Sequence, residues 1–111
     1  MRRLFPKVLF FAAIFACCVP AQAVDVDAAK KLARQNSCGK CHDPGKEAPF
    51  KKIAEKYRGD AQAEAKLTKH LTSNPTVTYK DGTKEEHKAL RTTPADDAAQ
   101  MKNLLQWVLA H

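Results

Sequence analysis

Residues 38–42 of this 111-residue chain read Cys-Gly-Lys-Cys-His, and this pentapeptide constrains the fold more than any other feature. C-x-x-C-H is the pattern to which a haem of the c type is covalently attached. Cys38 and Cys41 lie three positions apart, so each can form a thioether with one vinyl group of the same porphyrin. The imidazole of His42 then lies beneath the iron as its first axial ligand. The motif predicts one covalently bound haem c, which the fold must enclose.

Two other interpretations of the cysteine pair fit less well. A thioredoxin-like C-x-x-C follows a strand and opens a helix, whereas residues 28–35 before this motif favour a helix. A structural zinc site needs a second pair of ligands, and no second cysteine pair remains if the two leader cysteines are removed. Haem attachment is therefore the interpretation that the sequence favours.

The first 23 residues have the composition of a secretory signal peptide. Arg2, Arg3 and Lys7 form a basic start, an apolar run follows at 8–19, and Ala-Gln-Ala at 21–23 is a cleavage signal. The run is short for a membrane span, and the residues before Cys17 and Cys18 match a lipidation site poorly. We expect residues 1–23 to be a cleaved leader and residues 24–111 to be one periplasmic domain.

Removal of this leader changes what the charge implies. The leader carries three basic and no acidic residues, so its loss lowers the formal net charge from +7 to +4. Nucleic-acid binding is therefore not implied. A domain of this size buries a marginal core by itself, so we expect the haem to complete its interior.

The apolar pattern predicts four helices and one long polar segment. Asp25 or Asp27 caps the first helix, Gly59 ends the second, and Thr93 followed by Pro94 begins the last. No helical period runs through residues 75–92, and a loop this long in a compact domain is usually functional. The predicted helices cover about 28–38, 50–59, 60–74 and 94–109.

These features together resemble a small bacterial class I cytochrome c. The resemblance covers the whole mature sequence, from the first helix and the pentapeptide through Ala-Pro-Phe at 48–50 to Trp-Val-Leu at 107–109. It implies an all-α fold of about four helices around one haem. It further implies that the first and last helices pack together, bringing three residues of the first near two of the last: Ala29, Leu32 and Ala33 near Leu104 and Trp107.

The resemblance also implies a role for Pro49. It corresponds to the family's proline whose carbonyl accepts a hydrogen bond from the proximal imidazole. That bond would fix the tautomer of His42 and raise its basicity. We therefore expect Pro49 to contact the haem site.

The chain departs from the family at the sixth iron ligand. The family uses a methionine in the loop before the last helix, but residues 75–95 contain none. Met101 lies on the apolar stripe of the last helix, where core packing is expected. His87 lies in the ligand-bearing loop and is assigned as the sixth ligand, because imidazole is the commonest biological metal ligand.

Other donors for the sixth position stay open. His70 lies on an apolar helical stripe, where a core or propionate contact is more usual, and His111 is the terminal residue. Lys84 or Lys88 can ligate only when deprotonated. An open sixth position is the remaining alternative.

The predicted function is one-electron transfer between Fe(II) and Fe(III). Ligation by two histidines would favour the oxidised state and give a low reduction potential. Redox partner proteins of the periplasm would bind briefly, and four exposed lysines near the motif could steer toward an acidic partner, although lysines also serve solubility. These lysines are Lys40, Lys46, Lys51 and Lys52.

Two other functions compete with electron transfer. If the sixth position is weak or open, the chain could bind or sense NO, CO or O2. Peroxidase-like catalysis would need an open iron face and a distal acid–base pair, and the sequence shows no convincing pair. We therefore predict a carrier and no enzyme.

Overall fold

The computed structural model describes residues 23–111, so the predicted leader lies outside the described residues except for Ala23. Five helices and one two-stranded hairpin follow in chain order. No helix among the residues described is long and apolar enough to cross a membrane. The elements are α1 (Val26–Gln35), α2 (Gly39–His42), α3 (Phe50–Lys56), α4 (Ala63–Thr72), β1 (Thr76–Thr78), β2 (Lys84–Glu86) and α5 (Ala98–Leu109).

Helix α1 begins and ends on short-range hydrogen bonds that its sequence supplies. The Asp25 carboxylate accepts from the Ala28 amide at 3.0 Å, which confirms one of the two predicted caps. The helix ends earlier than predicted because Ser37 adopts a positive φ of 54°. Ser37 N then donates to Arg34 O and Cys38 N to Ala33 O, the pair of bonds that closes a Schellman motif. The chain therefore turns just before the pentapeptide.

The core lies where α1 crosses α5. Ala29, Leu32, Ala33 and Leu104 form its buried cluster, and Trp107 packs against them from α5. The predicted pairing of the first and last helices is confirmed. A reciprocal pair of hydrogen bonds joins the same helices at their polar edge. Asp25 N donates to Asn103 Oδ1 and Asn103 Nδ2 donates to Asp25 O, both at 2.8 Å.

Helices α3 and α4 follow the prediction, with one shifted boundary. Gly59 ends the α3 region with a positive φ of 76°, as its sequence position indicated. Helix α4 begins at Ala63 and not at Asp60, because the Asp60 carboxylate accepts from the Gln62 amide and from Lys66 Nζ. Asp60 O also accepts from Ala63 N, and this bond closes a turn that precedes the helix.

Residues 76–86 form an antiparallel hairpin, where the sequence analysis expected irregular loop. The register pairs Thr76 with Glu86 and Thr78 with Lys84. Each strand has only three residues and neither has a buried face, so no apolar alternation marks them. The turn is closed by Tyr79 N donating to Thr83 O at 2.8 Å.

The last helix begins later than predicted. Asp97 is its N-cap and accepts from the Gln100 amide at 3.0 Å, so the expected cap at Thr93 with Pro94 in the first turn is wrong. The hydroxyl of Thr92 donates to Pro94 O and accepts from Asp97 N. Residues 92–97 are thereby held in a turn before α5.

Candidate haem site

The attachment segment is a single helical turn attached to the end of α1. The Schellman motif places Cys38 against the α1–α5 core, and α2 then carries the rest of the pentapeptide. Cys38 and Cys41 are both half-buried and form no disulfide. His42 N donates to Cys38 O at 3.1 Å, which keeps the turn closed. Burial raises the pKa of the Cys38 thiol.

His42 is oriented by a backbone carbonyl, although not by the one expected. Its Nδ1 donates to Ala48 O at 2.6 Å. The hydrogen bond predicted to the Pro49 carbonyl is wrong, because that carbonyl accepts from the Lys52 and Ile53 amides and begins α3. The bond to Ala48 leaves Nε2 as the ring nitrogen available to a metal. A haem contact by Pro49 itself stays a prediction.

The imidazole of His42 is in contact with Phe50 and is affected by burial. The Phe50 ring stacks on His42, with centroids 5.1 Å apart and planes 20° apart. Burial lowers the pKa of His42 and the neighbouring His87 adds to this effect, while the bond to Ala48 opposes it. The lowered pKa favours the neutral imidazole, which is the form that binds metals.

His87 lies next to the attachment segment and belongs to the stretch between β2 and α5. The centroids of its ring and of the His42 ring are 6.2 Å apart, and the planes are inclined at 47°. Its Nδ1 donates to Lys88 O at 3.1 Å, so here too a backbone carbonyl occupies Nδ1 and leaves Nε2. A metal bound at about 2.0 Å to the Nε2 atoms of two opposed imidazoles separates their centroids by about 6 Å. A centroid separation of 6.2 Å is therefore compatible with two imidazoles that would hold one iron between them.

The segment that carries His87 is tied to the helices on both sides. We call residues 87–91 the strap. His87 N donates to Pro75 O at 2.8 Å and Leu90 N to Leu71 O at 2.9 Å, which fixes the strap to the end of α4. Asn36 joins its other end to α1 through two bonds with the backbone of Arg91, at 2.8 and 2.9 Å.

His70 lies beside His87, whereas His111 packs near Phe50 with ring centroids 5.4 Å apart. The His70 and His87 centroids are 4.2 Å apart. Burial lowers the pKa of His70, with the charges of His87, His42 and Lys56 adding to the effect. His111 packs on Trp107 at 4.7 Å and its Nδ1 donates to Trp107 O. Met101 is half-buried within α5.

Tyr79 and Glu85 are neighbours of the motif that the sequence analysis missed. The Tyr79 hydroxyl lies 3.7 Å from Cys41 Sγ and donates to Glu85 Oε2 at 2.7 Å. Its hydrogen bond to Glu85 raises the pKa of Tyr79, with further contributions from Cys41 and from burial. Only the hairpin register brings these residues to the motif, and Asp81-Gly82 was the one turn signal in a segment without apolar alternation. Glu47 adds a second tie, accepting from Lys80 N at 2.6 Å.

The residues present fit a covalently attached haem. Two half-buried thiols on one turn and the His42 imidazole, whose Nδ1 is held by Ala48 O, match the groups that would attach and hold a c-type haem. Within residues 23–111, no group of three or more His, Cys, Asp or Glu side chains is arranged to hold a metal ion. The four lysines predicted to steer a partner are exposed around this site: Lys40, Lys46, Lys51 and Lys52.

Comparisons with known proteins agree with this site. A family model described as cytochrome c matches residues 26–111. Among solved structures, the crystal structure of the Class 1 cytochrome MtoD from Sideroxydans lithotrophicus ES-1 is similar, with 53% sequence identity and a TM-score of 0.71. The match covers 79% of this chain and 97% of that one. No curated protein matches the chain.

Proposed function

Because the chain belongs to the cytochrome c family and carries electrons on a covalently bound haem c, we propose that His42 and His87 hold the iron and make this a low-potential carrier. The class I fold expected from the sequence is confirmed by the similarity to a Class 1 cytochrome. Thioether bonds from Cys38 and Cys41 would fix the porphyrin to α2, with His42 on the proximal side.

One observation supports the ligand pair above all others. His42 and His87 each have Nδ1 on a backbone carbonyl, and their rings are 6.2 Å apart. A carbonyl at Nδ1 selects the tautomer whose Nε2 can bind iron and increases the basicity of that nitrogen. For His70, no such carbonyl bond is present among the described residues. The pair 42 and 87 is therefore better prepared for axial ligation than any pair with His70.

The identity of the sixth ligand determines whether the reduction potential is higher or lower than that of a methionine-ligated relative. The bound haem supplies a one-electron couple between Fe(II) and Fe(III). An imidazole donates to Fe(III) more strongly than the thioether of methionine does, and methionine ligation raises the potential. We infer that His87 lowers the reduction potential below that of a methionine-ligated relative. The carrier would then work in a lower-potential segment of an electron-transfer chain.

The location and partners follow from the sequence. A cleaved leader at residues 1–23 would deliver a domain of residues 24–111 to the periplasm, without stable membrane insertion. Redox partner proteins would bind there in short encounters, and an acidic surface would suit the exposed lysines around the motif. We propose no catalytic reaction for the chain.

The first prediction concerns the identity of the sixth ligand. His70 offers a second imidazole beside His87, so both proteins in this comparison carry His70→Ala. One of them keeps His87 and the other carries His87→Met. The replacement should raise the reduction potential and introduce the near-infrared absorption band of methionine-ligated ferric haem. Redox titration and absorption spectroscopy measure both changes.

The matched control is His111→Ala, which removes an imidazole that packs against Trp107. It should leave the spectrum and the potential unchanged. An unaltered spectrum and potential in the His87→Met chain would exclude His87 as the ligand. High-spin ferrous haem that binds CO rapidly in the unmodified protein would instead favour binding or sensing of a diatomic gas.

A further inference from the structure

The distal side of the site contains two imidazoles in contact. His70 belongs to α4 and His87 to the strap, and their centroids are 4.2 Å apart with planes inclined at 57°. Both rings are half-buried. A single axial ligand would need only one of them, so the second ring requires an explanation.

The two histidines also differ in how firmly they are held. His70 lies within the last turn of a ten-residue helix, whose backbone fixes its position. His87 lies in a segment without helix or strand. Two single backbone hydrogen bonds, from His87 N to Pro75 O and from Leu90 N to Leu71 O, and the two bonds between Asn36 and the backbone of Arg91 hold this segment. Segments of this kind open locally at lower free energy than helices do. The imidazole on the strap is therefore the one more easily withdrawn.

We propose that His70 is a second distal ligand, which binds the haem iron through its imidazole whenever His87 leaves. This inference rests on the proposed function, because it assumes that His87 is the resident sixth ligand. The strap can then open without leaving the iron five-coordinate. Six-coordination by nitrogen would persist in most molecules, and small ligands such as CO would have to compete with His70 in the open form.

Because the two rings are in contact, His70 would have only a short distance to move to replace His87. The contact with His87 puts the His70 ring next to the resident distal ligand, so opening of the strap vacates space directly beside His70. The ties of the strap to Leu71 and Pro75 lie one and five positions after His70 in the chain. Movement of the strap and access of His70 are therefore coupled at the end of one helix.

The test uses the haem-loaded protein in three forms: His87→Ala, His70→Phe, and both together. Phenylalanine fills the space of His70 with a ring that lacks nitrogen, so packing is kept while ligation is lost. We expect His87→Ala and His70→Phe each to stay low-spin with nitrogen ligation. The double variant should become high-spin and bind CO. If His70 holds the iron in about nine of ten His87→Ala molecules, their apparent CO affinity should be about tenfold weaker than that of the double variant.

Each other outcome contradicts the proposal in a distinguishable way. A high-spin His87→Ala chain would show that His87 is the ligand and that His70 does not replace it. A low-spin double variant would assign the exchange to another donor, such as Lys84 or Lys88. A high-spin His70→Phe chain would make His70 the resident ligand and overturn the proposed function as well. Added imidazole should restore the low-spin spectrum of the double variant, and circular dichroism checks its helix content.

Discussion

At the scale of single residues, the site is organised by backbone carbonyls that hold histidine rings. Ala48 O accepts from Nδ1 of His42, and Lys88 O accepts from Nδ1 of His87. The sequence predicts that the proximal imidazole has such a partner, but the partner is one residue earlier than the family resemblance implied. The Pro49 carbonyl is unavailable because its position at the start of α3 commits it to the helix.

A second prediction concerns Pro49, because the carbonyl that holds His42 belongs to Ala48 and not to Pro49. Pro49→Ala leaves the Ala48 carbonyl in place and removes only the restriction on φ at the start of α3. We expect a small loss of stability, about 0.5–1 kcal/mol, because the unfolded chain gains conformational freedom. The reduction potential should stay unchanged. Thermal unfolding and redox titration measure the two effects, and a clear shift in potential would show that Pro49 acts on the iron.

At the scale of elements, the helices were predictable and the hairpin was not. Their apolar residues recur with a helical period, and Asp25 and Gly59 mark boundaries by their chemistry. The hairpin has three-residue strands without a buried face, so its register depends on turn bonds and contacts with other segments. The contact between Tyr79 and Cys41 was missed for the same reason. The ligand role of His87 stays a prediction.

A third prediction tests the cap of α5. The amide of Gln100 holds the pKa of the Asp97 carboxyl below its usual value. A group whose pKa is lowered in the folded state stabilises the fold above its unfolded pKa of about 3.9, and this contribution is lost as the pH falls through the folded value. Asp97→Ala should therefore lower the unfolding temperature at neutral pH, with a smaller difference from the parent chain in acid.

The control for this cap is Asp97→Asn. Asparagine is an equally good cap but does not titrate. It should retain most of the stability at neutral pH and show less dependence on acid than the parent chain. Thermal unfolding followed by circular dichroism across the acidic range separates the variants. Equal acid dependence of the parent and asparagine chains would contradict the assignment.

At the scale of the whole molecule, a small core leaves room for the cofactor to complete the interior. Four of the nine buried apolar residues in the described part of the chain are alanines, and none of the large side chains there is fully buried. Such a core supplies little apolar area, and a covalently held haem adds more. The cluster between α1 and α5 ends at Cys38. The packing of the first and last helices therefore also positions the cysteine that would attach the haem.

Two asparagines secure the ends of this arrangement in the same way. Asn103 exchanges two hydrogen bonds with the backbone of Asp25, and Asn36 exchanges two with the backbone of Arg91. The first pair joins α5 to α1, whereas the second joins the strap to α1. Both asparagines form the same kind of hydrogen bonds. Comparing their alanine variants therefore separates an effect on the free energy of unfolding from an effect on ligand access to the iron.

The last prediction is that both alanine variants lose about 1–2 kcal/mol of unfolding free energy, while only Asn36→Ala admits external ligands faster. Loss of the Asn36 bonds frees the end of the strap and would allow His87 to leave the iron more often. Asn103 instead bonds to Asp25 at the opposite end of α1 from Asn36. Denaturant unfolding gives the stability, and stopped-flow mixing of ferric protein with imidazole gives the entry rate. Equal acceleration in both variants would mean that general loosening of the fold, and not the strap, controls access to the iron.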